Sequence, residues 1–213
     1  FDFYSSNTLR NTVYRNRTPI KQFIATPNNN KNNRNRVSLK IWTINATGLN
    51  SPYEQYELLL RAEKEGVHII VVQETYFTDT YTIQIGKWLA ISSGVLSNTE
   101  NNTDTNSNKQ KTGVAIYLNP KVKDAVTTYI TINDRIMSTT ILTKCGPLAI
   151  INHHAPDETR PLTVKQAHWD LLSRTVRNIQ EDAIKLVIGD TNIRWHGRYT
   201  EEENILGPHI FGK

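Results

Sequence analysis

The sequence predicts an α+β fold in which mixed β-sheets carry helices on their outer faces. Three observations point there. Val67–Gln73 (VHIIVVQ) and Lys185–Asp190 (KLVIGD) are apolar runs rich in β-branched residues, as in strands buried on both faces. Each follows a stretch with helical spacing, which predicts a crossover into the sheet. Between the two units lie short strands and a hairpin, which disfavours a strictly alternating parallel fold.

Residues 1–36 are set apart by composition. They hold nine Asn, and seven cations (Arg10, Arg15, Arg17, Lys21, Lys31, Arg34, Arg36) against Asp2 alone. Few apolar residues recur at any period, so residues 1–37 are read as a basic, Asn-rich extended tail. The chain's net charge of +5 therefore belongs to the tail, and the body from 38 to 213 is near neutral. Such a tail adds salt-sensitive affinity for polyanions such as RNA, or docks on a protein assembly.

Ser38–Asn45 (SLKIWTIN) reads as a strand, with Leu39, Ile41 and Thr43 alternating against Lys40 and Trp42. Gly48-Leu49-Asn50 is a turn. Pro52 suits a first helical turn, Tyr53–Glu65 places Tyr56, Leu59 and Leu60 on one face, and Gly66 is a stop. Lys87–Ser92 and Gly113–Leu118 are strands around an exposed polar loop at Leu96–Lys111. Val126–Ile132 and Arg135–Thr143 form a hairpin across Asn133-Asp134, and Pro147–His153 is a further strand. Thr163-Val164-Lys165-Gln166 reads as a capping box opening a helix whose apolar face carries Val164, His168, Leu171, Leu172, Thr175, Val176 and Ile179.

Composition excludes several classes. The one cysteine, Cys145, rules out an internal disulfide or a multi-Cys zinc site. No apolar run approaches the ~20 residues of a membrane-spanning helix, and Phe1-Asp2-Phe3 is not a signal peptide. An intracellular location is expected.

The chemistry-bearing residues sit at strand ends. Asn45 ends the first strand, Gln73-Glu74 the second buried one, and Asp190 and Asn192 the last. A carboxylate after an apolar strand is costly unless hydrated, paired or bound to a metal. Each residue taken singly also reads as a turn former or cap. Taken together, Glu74 and Asp190 with amides and water make a hard-oxygen site suited to Mg²⁺ or Mn²⁺, hence to phosphate-ester chemistry.

These residues also carry a resemblance. Ile41-Trp42-Thr43-Ile44-Asn45-Ala46-Thr47-Gly48-Leu49 resembles the W-N-x-x-G-L motif of the endonuclease/exonuclease/phosphatase superfamily. Gln73-Glu74-Thr75 resembles its Q-E-T motif, and Gly113-Val114-Ala115-Ile116 its G-V-A-I strand. Asn152-His153-His154-Ala155-Pro156-Asp157 is similar to N-x-Y-A-P-N, with His154 in place of Tyr, and Gly189-Asp190-Thr191-Asn192 to G-D-x-N. Arg135-Ile136-Met137-Ser138 and Asn204–Lys213 (NILGPHIFGK) further resemble the apurinic-type endonuclease domain of non-LTR retrotransposons.

The resemblance implies a four-layer α/β/β/α sandwich, DNase I-like, and metal-dependent nicking of DNA. It implies that Glu74 holds the metal with help from Asn45. Asp190 then orients or activates the water, Asn192 binds the phosphate or stabilises the transition state, and His154 donates a hydrogen bond. Arg194, Trp195 and Arg198 become candidates for a DNA-lining loop. The family's later Asp and its S-D-H motif fall beyond Lys213, so the expectation is a domain lacking its last strands. A piece of a longer polyprotein, a nuclease completed by another chain and a retroelement remnant reused as a non-catalytic scaffold all stay open. So does a phosphatase acting on small phosphate esters.

Overall fold

The computed structural model describes residues 21–23, 38–94 and 112–193. Its elements in chain order begin with β1 (Lys21–Phe23), β2 (Ile41–Asn45), α1 (Pro52–Lys64), β3 (Ile69–Gln73), β4 (Tyr81–Ile85) and β5 (Trp88–Ser93). They continue with β6 (Val114–Leu118), β7 (Val126–Asn133), β8 (Ile136–Thr143), β9 (Gly146–His154), α2 (Leu162–Asn178) and β10 (Ile184–Asp190). A six-stranded sheet runs in the order β1-β2-β3-β6-β5-β4, and a four-stranded sheet in the order β10-β9-β8-β7. Among the described residues only β2–β3 and β9–β10 pair in parallel, and each of these pairs is joined through a helix. This mixture is what the alternation of hairpins and crossovers predicts.

Three apolar clusters give four layers. Ile41, Ile69, Val71, Ile116 and Leu118 of the first sheet meet Met137, Ile141, Leu148, Ile150 and Ile188 of the second. The first sheet's other face, with Trp42, Ile70, Val72 and Ala115, packs on Leu58, Leu59 and Ala62 of α1. The second sheet's other face, with Ile136, Ala149 and Ile151, packs on Leu172 of α2. All five residues of β3 are buried because both of its faces are covered, as its unbroken apolar run predicts. The α/β/β/α sandwich is therefore observed.

Several local expectations need correction. Trp42 is not on a polar face; it is buried under α1. Tyr56 and Leu60 face water, whereas Gln55, Leu58, Leu59 and Ala62 form the buried stripe of α1. Gln55 accepts a buried hydrogen bond from the Tyr117 hydroxyl at 3.1 Å, which satisfies both groups inside the layer. α2 starts at Leu162 behind Pro161 with no side-chain cap, so the capping box does not form. Val164 is exposed, and His168, Leu172 and Thr175 are the buried residues of α2. Two strands went unpredicted. β4 is one; its middle three residues are exposed, so its pattern carries little alternation. β1 is the other, a three-residue edge strand within the basic segment that pairs antiparallel with β2. The Asn-rich loop at 96–111 lies outside the described residues, as does the rest of the segment 1–37.

Two glycines fix the loops around the strand ends. At Gly189 a Cβ would land on the carbonyl of His153, so the parallel pairing of β10 with β9 needs a residue without one. Gly48 has φ +104°, and a Cβ there would lie 3.2 Å from the Tyr76 ring.

Candidate active site

The C-terminal ends of β2, β3, β9 and β10 open onto one place. The parallel registers Asn45↔Gln73 and Asp190↔His154 bring these ends level. The backbone continues the alignment past the strands: Ala46, Gly48 and Leu49 donate to the carbonyls of Gln73, Glu74 and Thr75 at 2.7–2.9 Å. Ala155 N–H donates to the Asp190 carbonyl at 2.8 Å.

Two carboxylates from different sheets meet here on one amide. Asn45 Nδ2 donates to Glu74 Oε1 at 2.9 Å and to Asp190 Oδ2 at 2.8 Å. A single NH₂ group thus uses both hydrogens to hold two negative charges side by side. Its own carbonyl oxygen, Asn45 Oδ1, is buried and has no partner. Across from it stands His154, also buried, with Nε2 at 3.7 Å from Glu74 Oε1. That separation is beyond hydrogen-bond range. Burial, and next the Arg135 charge, lower the His154 pKa, although Glu74 and Asp190 oppose them. The imidazole is therefore neutral at neutral pH, and the pair is not an ion pair there.

Three neighbours complete the arrangement. Tyr76 donates its hydroxyl to Glu74 Oε2 at 3.1 Å. Burial and the adjacent Glu74 charge push the Tyr76 pKa up to about 12, so the hydroxyl keeps its proton. Arg135 donates to the carbonyls of His154 and Ala155, both at 3.2 Å, and so fixes the loop after β9. Behind the carboxylates, Gln73 Nε2 donates to Asn152 Oδ1 at 2.8 Å. Asn152 Nδ2 in turn donates to the carbonyls of Val72 and Ala115 at 2.9 and 3.0 Å. This buried amide pair ties the two sheets together just under the site.

Asn192 is held rather than free. Its backbone N–H donates to Asp190 Oδ1 at 2.9 Å and its Nδ2 to the Ala155 carbonyl at 2.7 Å. It has φ +49°, and Thr47, Glu74 and Tyr76 have φ +49°, +51° and +59°. These are the non-glycine residues with positive φ among those described, and all four border this site. Such conformations cost on the order of 1–3 kcal/mol each and persist where surrounding contacts over-determine them.

The residues singled out in the sequence are thus largely brought together: Asn45, Glu74, His154, Asp190 and Asn192 share one cleft. Arg194, Trp195 and Arg198 lie outside the described residues. Sequence reasoning missed Tyr76, Arg135 as a loop clamp, and Asn152. For Tyr76 the signal was its place directly after the Q-E-T motif.

The donor set fits a divalent cation. Glu74, His154 and Asp190 each offer a ligand atom, all within 4.8 Å of one another. Asn45 Oδ1 and His154 Nδ1 are buried without partners. Carboxylate and amide oxygens suit Mg²⁺ or Mn²⁺, whereas the imidazole beside them is a ligand more typical of later transition metals.

Residues 30–211 match the endonuclease/exonuclease/phosphatase family. Among solved structures the chain is similar to the endonuclease domain of TRAS1, a telomere-specific non-LTR retrotransposon. The identity is 14% over 72% of this chain and 60% of that one, with a TM-score of 0.50. It is also similar to D. rerio TDP2 complexed with a single-strand DNA product, at 14% identity over 78% and 64% of the two chains and a TM-score of 0.50. A family protein from Leptotrichia buccalis gives 16% identity over 78% and 71%, with a TM-score of 0.51. At such identities the likeness is one of fold. The chain spans 60% of the length of the TRAS1 domain.

Proposed function

The chain belongs to the endonuclease/exonuclease/phosphatase family, and from that premise we propose that its cleft hydrolyses DNA phosphodiesters, nicking a strand with a divalent cation. The observation that carries the reading is the Asn45 amide joining Glu74 and Asp190 across the two sheets. Two carboxylates held together in a half-buried cleft need a proton, a cation or a substrate-bound metal to offset their repulsion. DNA is favoured over small phosphate esters because two nuclease-like features coincide: the retrotransposon-type motifs of the sequence and folds like those of TRAS1 and the DNA-bound TDP2.

Glu74 and Asp190 would hold the ion, with Asn45 Oδ1 and the His154 imidazole as further donors. When bound, the ion offsets charge developing on the phosphoryl oxygens and favours ionisation of a nearby water. The chain's own residues do the rest. Asp190 orients the attacking water and accepts its proton as the new P–O bond forms and the P–O bond to the leaving strand breaks. His154, neutral, presents an N–H to a phosphate oxygen. Asn45 and Tyr76 keep the Glu74 carboxylate in place by hydrogen bonds from two sides. Asn192 shapes the loop that carries Asp190. The cations of residues 1–36 add salt-sensitive, sequence-independent contact with the polyanion.

The test is relaxation of supercoiled plasmid by the full chain with Mg²⁺ or Mn²⁺ and with chelator. Glu74→Gln and Asp190→Asn are expected to lower metal-dependent nicking by roughly a hundredfold or more. Folded protein that binds DNA and nicks it with neither metal would overturn the reading in favour of a scaffold whose basic tail docks on RNA or protein. Hydrolysis of small phosphate esters without nicking would point instead to a phosphatase.

A further inference from the structure

We propose that the cleft between α2 and the residues following β10 is a subsite for one unpaired nucleobase beside the scissile phosphate, which makes single-stranded or frayed DNA the preferred substrate. The inference rests on the DNA-hydrolysis reading above and adds the form of DNA that the site accepts.

A cavity of about 220 Å³ lies there, with Pro156, Trp169, Thr191 and Asn192 in its wall. Trp169 is half-buried. Its ring is fixed edge-on against His153 and His168, with centroids 5.7 and 5.3 Å away and planes at 63° and 81°. A fixed indole that borders a cavity is a stacking platform, and stacking serves any base because every base has a π-face. Ile193 extends the apolar wall and is itself 44% exposed, so it is free to cover a bound ring.

The cavity touches the chemistry. Asn192, which lines it, donates its backbone N–H to Asp190 Oδ1 at 2.9 Å. A ring held here therefore sits against the loop that carries Asp190.

Charge decides what kind of group fits. Lys165 and Glu158 both line the cavity, and Lys165 Nζ reaches the Glu158 carbonyl at 3.3 Å. One cation and one carboxylate cancel, so the cavity offers no net attraction for phosphate. A neutral, flat, hydrogen-bonding ring matches the indole, the Thr191 hydroxyl and the absence of net charge. Size decides the pairing state. The volume is below the about 300 Å³ at which drug-sized pockets begin, so it admits one ring system and not a base pair. A base that enters has left its stack, which costs least in single-stranded or frayed DNA.

The experiment measures binding of fluorescent single strands to the full chain in chelator, so that no hydrolysis occurs. In each strand one base is replaced by an abasic tetrahydrofuran unit. Removal of one particular base is expected to weaken binding about tenfold, with the other positions changing little. That position effect is expected to vanish in Trp169→Leu. Because Trp169 also packs on β9 and α2, Ile193→Trp is the second variant; it fills the cavity from an exposed position and is expected to erase the same effect with an unchanged unfolding midpoint. A uniform response along the strand, a position effect that survives both variants, or no binding of single strands overturns the inference. Blunt duplex bound as tightly as the single strand overturns it too. Metal-dependent nicking by the unaltered chain is scored in parallel. A position effect without nicking leaves the subsite and removes the hydrolysis reading, while nicking without a position effect does the reverse.

Discussion

At the scale of single residues, the site depends on where hydrogen-bond donors are placed among acids. Asn45 supplies one hydrogen to each of two carboxylates, beside the Tyr76 hydroxyl on Glu74 and the Asn192 N–H on Asp190, and none of these donors carries a charge to offset the two negative ones. Asn45→Asp removes both donors and adds a third negative charge. Without metal this is expected to cost about 1–3 kcal/mol of stability, the range for leaving buried acceptors unpaired. Added Mn²⁺ is expected to restore more stability to the variant than to the unaltered chain, because a cation has more charge to offset there. Urea midpoints with and without Mn²⁺ measure both effects, and equal gains in the two proteins would count against Asn45 bridging a metal site. Tyr76→Phe is milder. It removes one hydrogen bond to Glu74 and keeps the ring against Gly48, so a three- to tenfold loss of apparent metal affinity is expected, in keeping with about 1 kcal/mol per hydrogen bond. Of these residues, Asn45, Glu74 and Asp190 were legible in the sequence because a polar residue ending an apolar strand is conspicuous. Tyr76 was not, since an aromatic residue after a strand reads equally well as core. What brings it to the site is the left-handed backbone at Glu74 and Tyr76, which turns its hydroxyl back onto Glu74.

At the scale of elements, the legible parts were those with strong periodicity, and the errors came where partners decide burial. β3 and β10 were both found as strands, but only β3 is buried on both faces; among the described residues β10 lies at the edge of its sheet with Ile184 and Val187 exposed, so its apolar run overstated its burial. The buried stripe of α1 was misplaced toward Tyr56 and Leu60. Leu59 was placed correctly; only the sheet's position, through Trp42 and Tyr117, selects Gln55 and Leu58 beside it. The contact of α2 with β9 has a consequence for pH. His168 of α2 and His153 of β9 are buried, and each keeps a ring nitrogen without a partner. Burial, then a neighbouring histidine, lowers the pKa of each to about 4. Unfolding returns both to about 6.5, so between about pH 6.5 and 4 the unfolded chain binds more protons than the folded one. Stability is therefore expected to fall as pH drops through that window and to be independent of these two groups above about 7. The check is a series of urea midpoints from pH 7.5 to 4.5. His168→Leu is expected to flatten the slope, and an unchanged slope would place the pH dependence elsewhere.

At the scale of the whole molecule, the site exists only while the two sheets keep their register against each other. Glu74 comes from the first sheet and Asp190 from the second, and the apolar contact between the sheets is nondirectional. Leucine, isoleucine and valine hold the sheets together without fixing how far one slides on the other. The directional element is the amide pair beneath the carboxylates. Asn152, fully buried, donates to two carbonyls of the first sheet and accepts from Gln73, which directly precedes Glu74. Asn152→Leu keeps the branched shape with added bulk and strands those acceptors and the Gln73 amide, at an expected cost of about 2–4 kcal/mol. Gln73→Leu alone strands less. The double variant is expected to be less destabilised than the sum of the two single ones, because each removes a partner the other needed. Additive losses in urea unfolding would mean that the two amides act independently. The same cycle read on metal affinity separates stability from register. If the amide pair positions the carboxylates, affinity falls in Asn152→Leu even where the protein is fully folded. If it serves packing alone, the folded variant binds metal as the unaltered chain does.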